Sequence, residues 1–260
     1  MINSPADKLL SCATLITGQL GSQTFSGTGF FFNFNIKDQR VPVLVSNHHV
    51  LNDFDTLQIY IRTSLEENPD PSASGKRVTV NFNRNSADVF FHPNPNIDLA
   101  VIPLAPLFNQ LSEEQEHILN FFIQESMIVL ESDYNTLSAI ENLVMPGCPM
   151  GIYDDTNFLP VLRRGITASH PAYSFKGASE FLSDISCFPG SSGSPIFLYD
   201  PFGYPDYQNM HYHFGTSRIR LLGIQCRSYT NTSTGESLNL AVAQQARFLL
   251  DFKPILENFV

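Results

Sequence analysis

Between positions 24 and 50 the chain reads as two strands rich in Phe and Val around a polar turn at 33–39, which predicts a hairpin. Short β-type runs follow at 57–61, 78–82 and 99–102, separated by clusters of Pro, Asn, Ser and Gly, the punctuation of antiparallel strands in a barrel. The style changes at 111–124, where Ser112, Glu113, Glu114 and Gln115 predict a helix start and Ile118, Leu119, Phe121 and Phe122 follow at helical spacing. This segment is expected to connect two halves. A second β-rich block runs from 127 to about 243, with loops at 146–149, 188–194 and 200–208. Residues 242–256 then carry a helical pattern predicted to pack Phe248, Leu249 and Phe252 onto the body. Parallel βαβ alternation and internal repeats are absent, so the pattern predicts two β-barrels and a terminal helix.

Composition narrows this picture. With 260 residues the chain suits one large all-β unit or two fused barrels, and 43% hydrophobic against 15% charged residues provides a core without a disordered signature. A net charge of −10 would repel a phosphate backbone, which argues against nucleic acid as a partner. No stretch approaches the roughly 20 apolar residues of a membrane helix, and the first 20 positions lack the apolar run of a signal peptide. A non-secreted, cytoplasmic protein with no membrane association is therefore expected. Cys12, Cys148, Cys187 and Cys226 form no CxxC pair, so reduced thiols are expected and no zinc site is visible.

A serine nucleophile needs a sharp turn that exposes its hydroxyl and aims backbone N–H groups at the developing oxyanion, so small residues must crowd it. Gly190-Ser191-Ser192-Gly193-Ser194-Pro195 meets that need, although a Gly/Ser-rich turn between strands is by itself more often only a loop. A base is offered by Ser46-Asn47-His48-His49-Val50 at the end of an apolar strand, where one imidazole, His48, reads as a strand-end cap. An acid that could fix the tautomer of that base stands directly before another apolar strand, Asp98 in Asn96-Ile97-Asp98-Leu99.

Together these segments resemble the chymotrypsin-like serine peptidase superfamily, nearer its disulfide-poor HtrA-type and related bacterial trypsin-like branches than the secreted digestive enzymes. The order His, Asp, Ser matches. The family's Thr/Ser-x-x-His motif selects His49 over His48 because Ser46 stands three residues before it. Asp98 to Val101 resembles the Asp-Leu/Ile-Ala-Val motif, Gly190 to Pro195 the nucleophile motif, and Gly27-Thr28-Gly29-Phe30 the strand ahead of the histidine. The resemblance implies an all-β fold of two antiparallel six-stranded barrels of chymotrypsin type, at 1–106 and 127–260, joined by a connecting helical segment at 107–126 and closed by a C-terminal helix. It implies a serine endopeptidase with the triad His49, Asp98 and Ser192 and an oxyanion hole formed by the N–H groups of Gly190 and Ser192. No cofactor is called for. The partner is a protein or peptide substrate. An inactive or latent relative that only holds peptides is the alternative, whereas an α/β-hydrolase esterase would show another motif order.

Two departures from the resemblance bear on control. Secreted zymogen relatives carry Asp before the nucleophile to receive a newly cut N-terminal amine, whereas this chain has Ser191; the peptide-binding domain of HtrA-type enzymes is not represented in these 260 residues. Control is therefore expected from loops, an oligomer or a regulatory protein partner, together with narrow specificity. By the family's spacing, Ser186 would lie at the base of the primary pocket with Cys226 and Ser228 on its wall, and so the pocket is expected to take an uncharged, apolar residue unless Asp184 swings in. The pair His211 and His213 reads as a solvated hairpin without a third ligand, Asp154-Asp155 as a turn, and Asn231-Thr232-Ser233 as a sequon irrelevant without secretion.

Overall fold

A computed structural model describes residues 4–66, 76–85, 88–230, 233 and 237–257; Asn231 and Thr232 of the sequon lie outside them. Nine strands form one antiparallel-dominated sheet: β1 (Ala13–Leu20), β2 (Gln23–Ile36), β3 (Gln39–Ser46), β4 (Thr56–Ser64), β5 (Lys76–Asn83), β6 (Phe90–Phe91), β7 (Ala100–Pro103), β8 (His117–Ile118) and β9 (Ile123–Gln124). Along the chain of hydrogen-bonded neighbours the order is β5-β4-β1-β2-β3-β7-β6, with β8 on β4 and β9 on β2. The predicted hairpin is β2–β3, but its turn is only Lys37-Asp38, both in the left-handed region at φ 49° and 62°. That places 33–36 in the strand and Asn33 opposite Pro42.

The second half holds β10 (Asn142–Gly147), β11 (Val161–Thr167), β12 (Glu180–Asp184), β13 (Pro195–Asp200), the small hairpin β14 (Gly203–Asp206) and β15 (His211–Phe214), β16 (Arg218–Thr230) and β17 (Ser237–Gln245). Six of these close a barrel in the order β10-β11-β12-β17-β16-β13. Among the described residues only this barrel is closed, which corrects the expectation of two; in the first half the end strands β5 and β6 do not pair with each other there. Phe90–Phe91 is too short to extend the ladder, and β5 turns alternate residues to solvent. Val80, Phe82 and Phe91 nevertheless pack on the core of Ile16, Phe31, Leu44, Leu57 and Ile59, so side chains rather than backbone bonds bring the sheet's ends together.

Two further expectations change. The helix expected over 111–124 is Ala105–Glu113, started by Pro106 and ended before Gln115, whose φ of 58° no helix continues; the apolar residues beyond it run extended and supply β8 and β9 to the first sheet. At the other end, 242–245 belong to β17, followed by 3₁₀ turns at Ala246–Phe252 and a short helix at Lys253–Leu256. Leu249 and Phe252 are buried there and Phe248 packs beside them.

Strand β2 explains why its sequence is apolar on both faces. Phe31 enters the core of the first sheet, while Phe30, Phe32 and Phe34 enter a second core shared with Val144, Phe197, Leu221 and Ile224 of the closed barrel. The two halves are therefore joined by a hydrophobic layer, and the loops that carry the chemistry meet at its edge.

Candidate active site

Gly190 and Gly193 adopt φ of +87° and +89°, a region that L side chains rarely enter. A Cβ on Gly193 would lie 2.0 Å from the Thr28 carbonyl, and one on Gly190 would lie 2.7 Å from the Cys148 carbonyl. Between these glycines the Ser192 turn is bonded from both halves. Its carbonyl accepts from the Thr28 N–H at 2.8 Å, and the Gly193 N–H donates to the Gln225 carbonyl at 2.8 Å. The Thr28 hydroxyl donates to the Gly190 carbonyl at 2.8 Å and accepts from the Cys148 N–H at 3.0 Å. Ser46 completes the lattice by donating to the Thr28 carbonyl at 2.8 Å. Thus the motif around Gly27-Thr28-Gly29 acts as a strut beneath the turn. The N–H groups of Gly190 and Ser192 have no acceptor among the described residues.

His49 stands on the one-turn helix His48–Leu51 that follows β3. Its Nδ1 lies 2.7 Å from Asp98 Oδ2, and its backbone N–H donates to Asp98 Oδ1 at 3.1 Å, so one carboxylate fixes both ring and backbone. Because the carboxylate can only accept, the proton sits on Nδ1 and the Nε2 lone pair faces outward. His48 points elsewhere, edge-on to Phe91 with ring centres 4.5 Å apart. Asn47, which the sequence reading passed over, is fully buried; its amide donates to the Asp98 carbonyl at 2.8 Å and contacts Cys226 Sγ at 3.4 Å, tying the acid's loop to the other half.

His49, Asp98 and Ser192 share an open cleft of about 390 Å³ whose walls are 187–189 on one side and 226–228 on the other. Cys226 sits at a bulge in the β16–β17 ladder, and its carbonyl accepts the Ser192 hydroxyl at 3.0 Å. Ser228 bridges the walls by donating to the Cys187 carbonyl at 3.3 Å. Arg227 also lines the cleft, but both guanidinium nitrogens are held by Glu180 at 2.7 and 2.8 Å. Of the residues expected in the pocket, Cys226 and Ser228 line the cleft and Ser186 does not: its side chain is exposed and its carbonyl accepts from Arg163. Asp184 ends β12, exposed and away from the lining.

All four cysteines are free and buried. Burial pushes the Cys148 thiol up to about 12 and raises those of Cys187 and Cys226 as well, so none supplies a thiolate near neutral pH. The hydroxyls in the cleft are those of Ser192, beside His49, and Ser228 on the wall. Among the described residues no cluster of three metal-ligating side chains occurs, and no helix is long and apolar enough to cross a membrane.

A model of the trypsin-like peptidase domain matches residues 27–200. In three dimensions the chain is similar to the HtrA-type protease AlgW with tripeptide, at 14% identity and a TM-score of 0.56, covering 99% of this chain and 64% of that one. It is also similar to the catalytically active tobacco etch virus protease complexed with product, at 12% identity and a TM-score of 0.54 over 99% of this chain and 84% of that one. A serine endoprotease from Yersinia pestis aligns at 14% identity with a TM-score of 0.53, over 99% and 68%. This chain spans about 64% of the length of the HtrA-type AlgW chains it matches. At these identities the likeness concerns the fold. The sequence has no match among curated proteins.

Proposed function

The chain belongs to the trypsin-like peptidase domain family, and we propose that it acts there as a serine endopeptidase with His49, Asp98 and Ser192 as its catalytic groups. The observation that carries this reading is the convergence of an Asp98-oriented imidazole and a half-buried serine hydroxyl on one cleft, beside two backbone N–H groups that have no acceptor among the described residues. His49 Nε2 takes the Ser192 proton as Oγ attacks the substrate carbonyl, and the Gly190 and Ser192 N–H groups receive the oxyanion. The imidazolium then protonates the leaving amine, and water deacylates the enzyme by the same route. In the structure the Ser192 hydroxyl donates to the Cys226 carbonyl instead, so this step requires Oγ to leave that bond for the imidazole. Residues 226–228 are placed to pair with an extended substrate backbone.

With Arg227 neutralised by Glu180 and no other charge on the walls beside the triad, the pocket favours an uncharged, apolar side chain before the cut bond. Narrow specificity or a partner protein would then limit damage to the host of a cytoplasmic enzyme. The bond from Ser192 to the Cys226 carbonyl supports a second reading, a latent or inactive peptidase fold that holds peptides. A fluorophosphonate probe separates the two: the endopeptidase is labelled and its Ser192→Ala variant is not, whereas absence of labelling in the unaltered protein favours the peptide binder.

A further inference from the structure

We propose that Arg163 is a positioning residue that holds the oxyanion-hole loop in its working shape, a role that rests on the peptidase reading above. Arg163 projects from β11 toward loop 186–191, and both of its bonds fall on that loop. One terminal nitrogen donates to the Ser186 carbonyl, and the other donates to Ser191 Oγ at 2.7 Å. The two acceptors are the first and last residues of the segment that forms one cleft wall and carries the Gly190 N–H. A planar guanidinium presents two fixed donors to such a pair of acceptors, whereas the donors of an ammonium all leave one nitrogen and hold the pair less rigidly.

The loop is shaped by what Arg163 grips. Ser191 Oγ also accepts from the Phe188 N–H at 3.3 Å, and the Ser191 N–H donates to the Phe188 carbonyl at 3.0 Å, which closes a small turn. Within it the Pro189 carbonyl accepts from the Met150 N–H and so points away from the cleft. That orientation of the Pro189–Gly190 peptide leaves the Gly190 N–H free for a substrate oxygen. If the peptide turned over, the Pro189 carbonyl would fill the hole and repel the oxyanion.

No carboxylate pairs with Arg163 among the described residues, and its Nε is buried without an acceptor. Burial lowers its pKa, and the titratable groups that act on it are the thiols of Cys187 and Cys148, themselves pushed up by burial. A guanidinium kept in so uncompensated a place, with both donors on the loop, is placed for the loop. The acceptor before Ser192 is neutral Ser191, and the cation that holds it comes from a strand of the closed barrel.

The test compares Arg163→Ala and Arg163→Lys with Arg164→Ala, an exposed neighbour, by the rate of fluorophosphonate labelling and by thermal unfolding. Arg163→Ala is expected to lower the maximal labelling rate roughly 10²–10³-fold, the cost of losing one oxyanion donor, with half-saturation by the probe nearly unchanged. Arg163→Lys should fall between, millimolar guanidinium should restore part of the rate to Arg163→Ala alone, and Arg164→Ala should label normally. Labelling of Arg163→Ala at the unaltered rate overturns the proposal and leaves the peptidase reading standing. So does a loss that neither Lys nor guanidinium relieves and that tracks lowered thermal stability. Absence of labelling in the unaltered protein removes the peptidase reading and this inference with it.

Discussion

The closed barrel and the open sheet divide the work differently. The barrel contributes backbone: main-chain bonds to Gln225 within the barrel and to Thr28 across the junction hold the Ser192 turn, while the Thr28 hydroxyl and the Arg163 side chain grip the loop that carries the Gly190 N–H. The sheet contributes side chains: His49 and Asp98 hang from the ends of β3 and the start of β7, held by each other and by Asn47. Ladder closure around the barrel leaves its loops few ways to shift, whereas the first sheet, whose end strands β5 and β6 do not pair with each other among the described residues, orients its groups by side-chain contacts. An oxyanion hole needs fixed dipoles, while a base must exchange protons and adjust by fractions of an ångström.

The sharpest test removes one group from each region. Ser192→Ala and His49→Ala should each lower turnover by about 10⁶-fold, and the double variant should be no worse, because the two act as one unit. Unfolding midpoints should be nearly unchanged, and His48→Ala, whose ring meets only Phe91 among the described aromatic contacts, should keep its activity. Retained turnover in His49→Ala would detach the sheet from the chemistry.

Asp98→Asn should cost about 10⁴-fold at neutral pH, because the amide offers an N–H to Nδ1 and selects the wrong tautomer. Steady-state assays of the purified variant check this, and full activity would remove the carboxylate from its role.

A smaller effect is expected at the strut between the two regions. Thr28→Val keeps the shape but strips a hydroxyl that serves the Gly190 carbonyl and the Cys148 N–H, both buried. The loss should be about 1–3 kcal/mol in denaturant unfolding, with a drop in turnover because the same bonds hold the Ser192 turn. An unchanged midpoint would mean that the Thr28 hydroxyl adds nothing to the junction.

The smallest effect concerns the open sheet by itself. The Lys76 ammonium on β5 and the Thr63 hydroxyl on β4 hold the Glu116 carboxyl below its usual range. A depressed folded-state pKa gives stability that is present above the unfolded value, about 4.3, and is lost as pH falls through the folded one. Acid unfolding of Glu116→Gln should therefore be less steep below about pH 4 than that of the unaltered protein, with lower stability at neutral pH. Parallel acid profiles would show that this edge contributes nothing.

How much of this was legible in advance depends on the range of the interaction involved. The alternation and turn residues of 24–50 located a hairpin, because strand period and turn chemistry are local. The motifs around His49, Asp98 and Ser192 identified three groups that the fold does bring to one cleft, and the Ser46 spacing separated His49 from His48. Expectations failed where local pattern was ambiguous. Apolar residues at 118–122 fit a helix by spacing, but Gln115 turns left-handed and the chain beyond it runs extended toward the first sheet.

The sequence by itself determined the mainly β character, through residue type and short-range period, and, through the resemblance its motifs carry, the candidate nucleophile, base and acid. Tertiary structure alone decided that one barrel closes and, among the described residues, the other does not, that Thr28 and Asn47 lock the site across the junction, and that Arg163 rather than Arg164 meets loop 186–191. Those outcomes depend on strand register, where a shift of one residue turns a side chain from one face to the other, and no local pattern specifies which of two adjacent arginines faces inward.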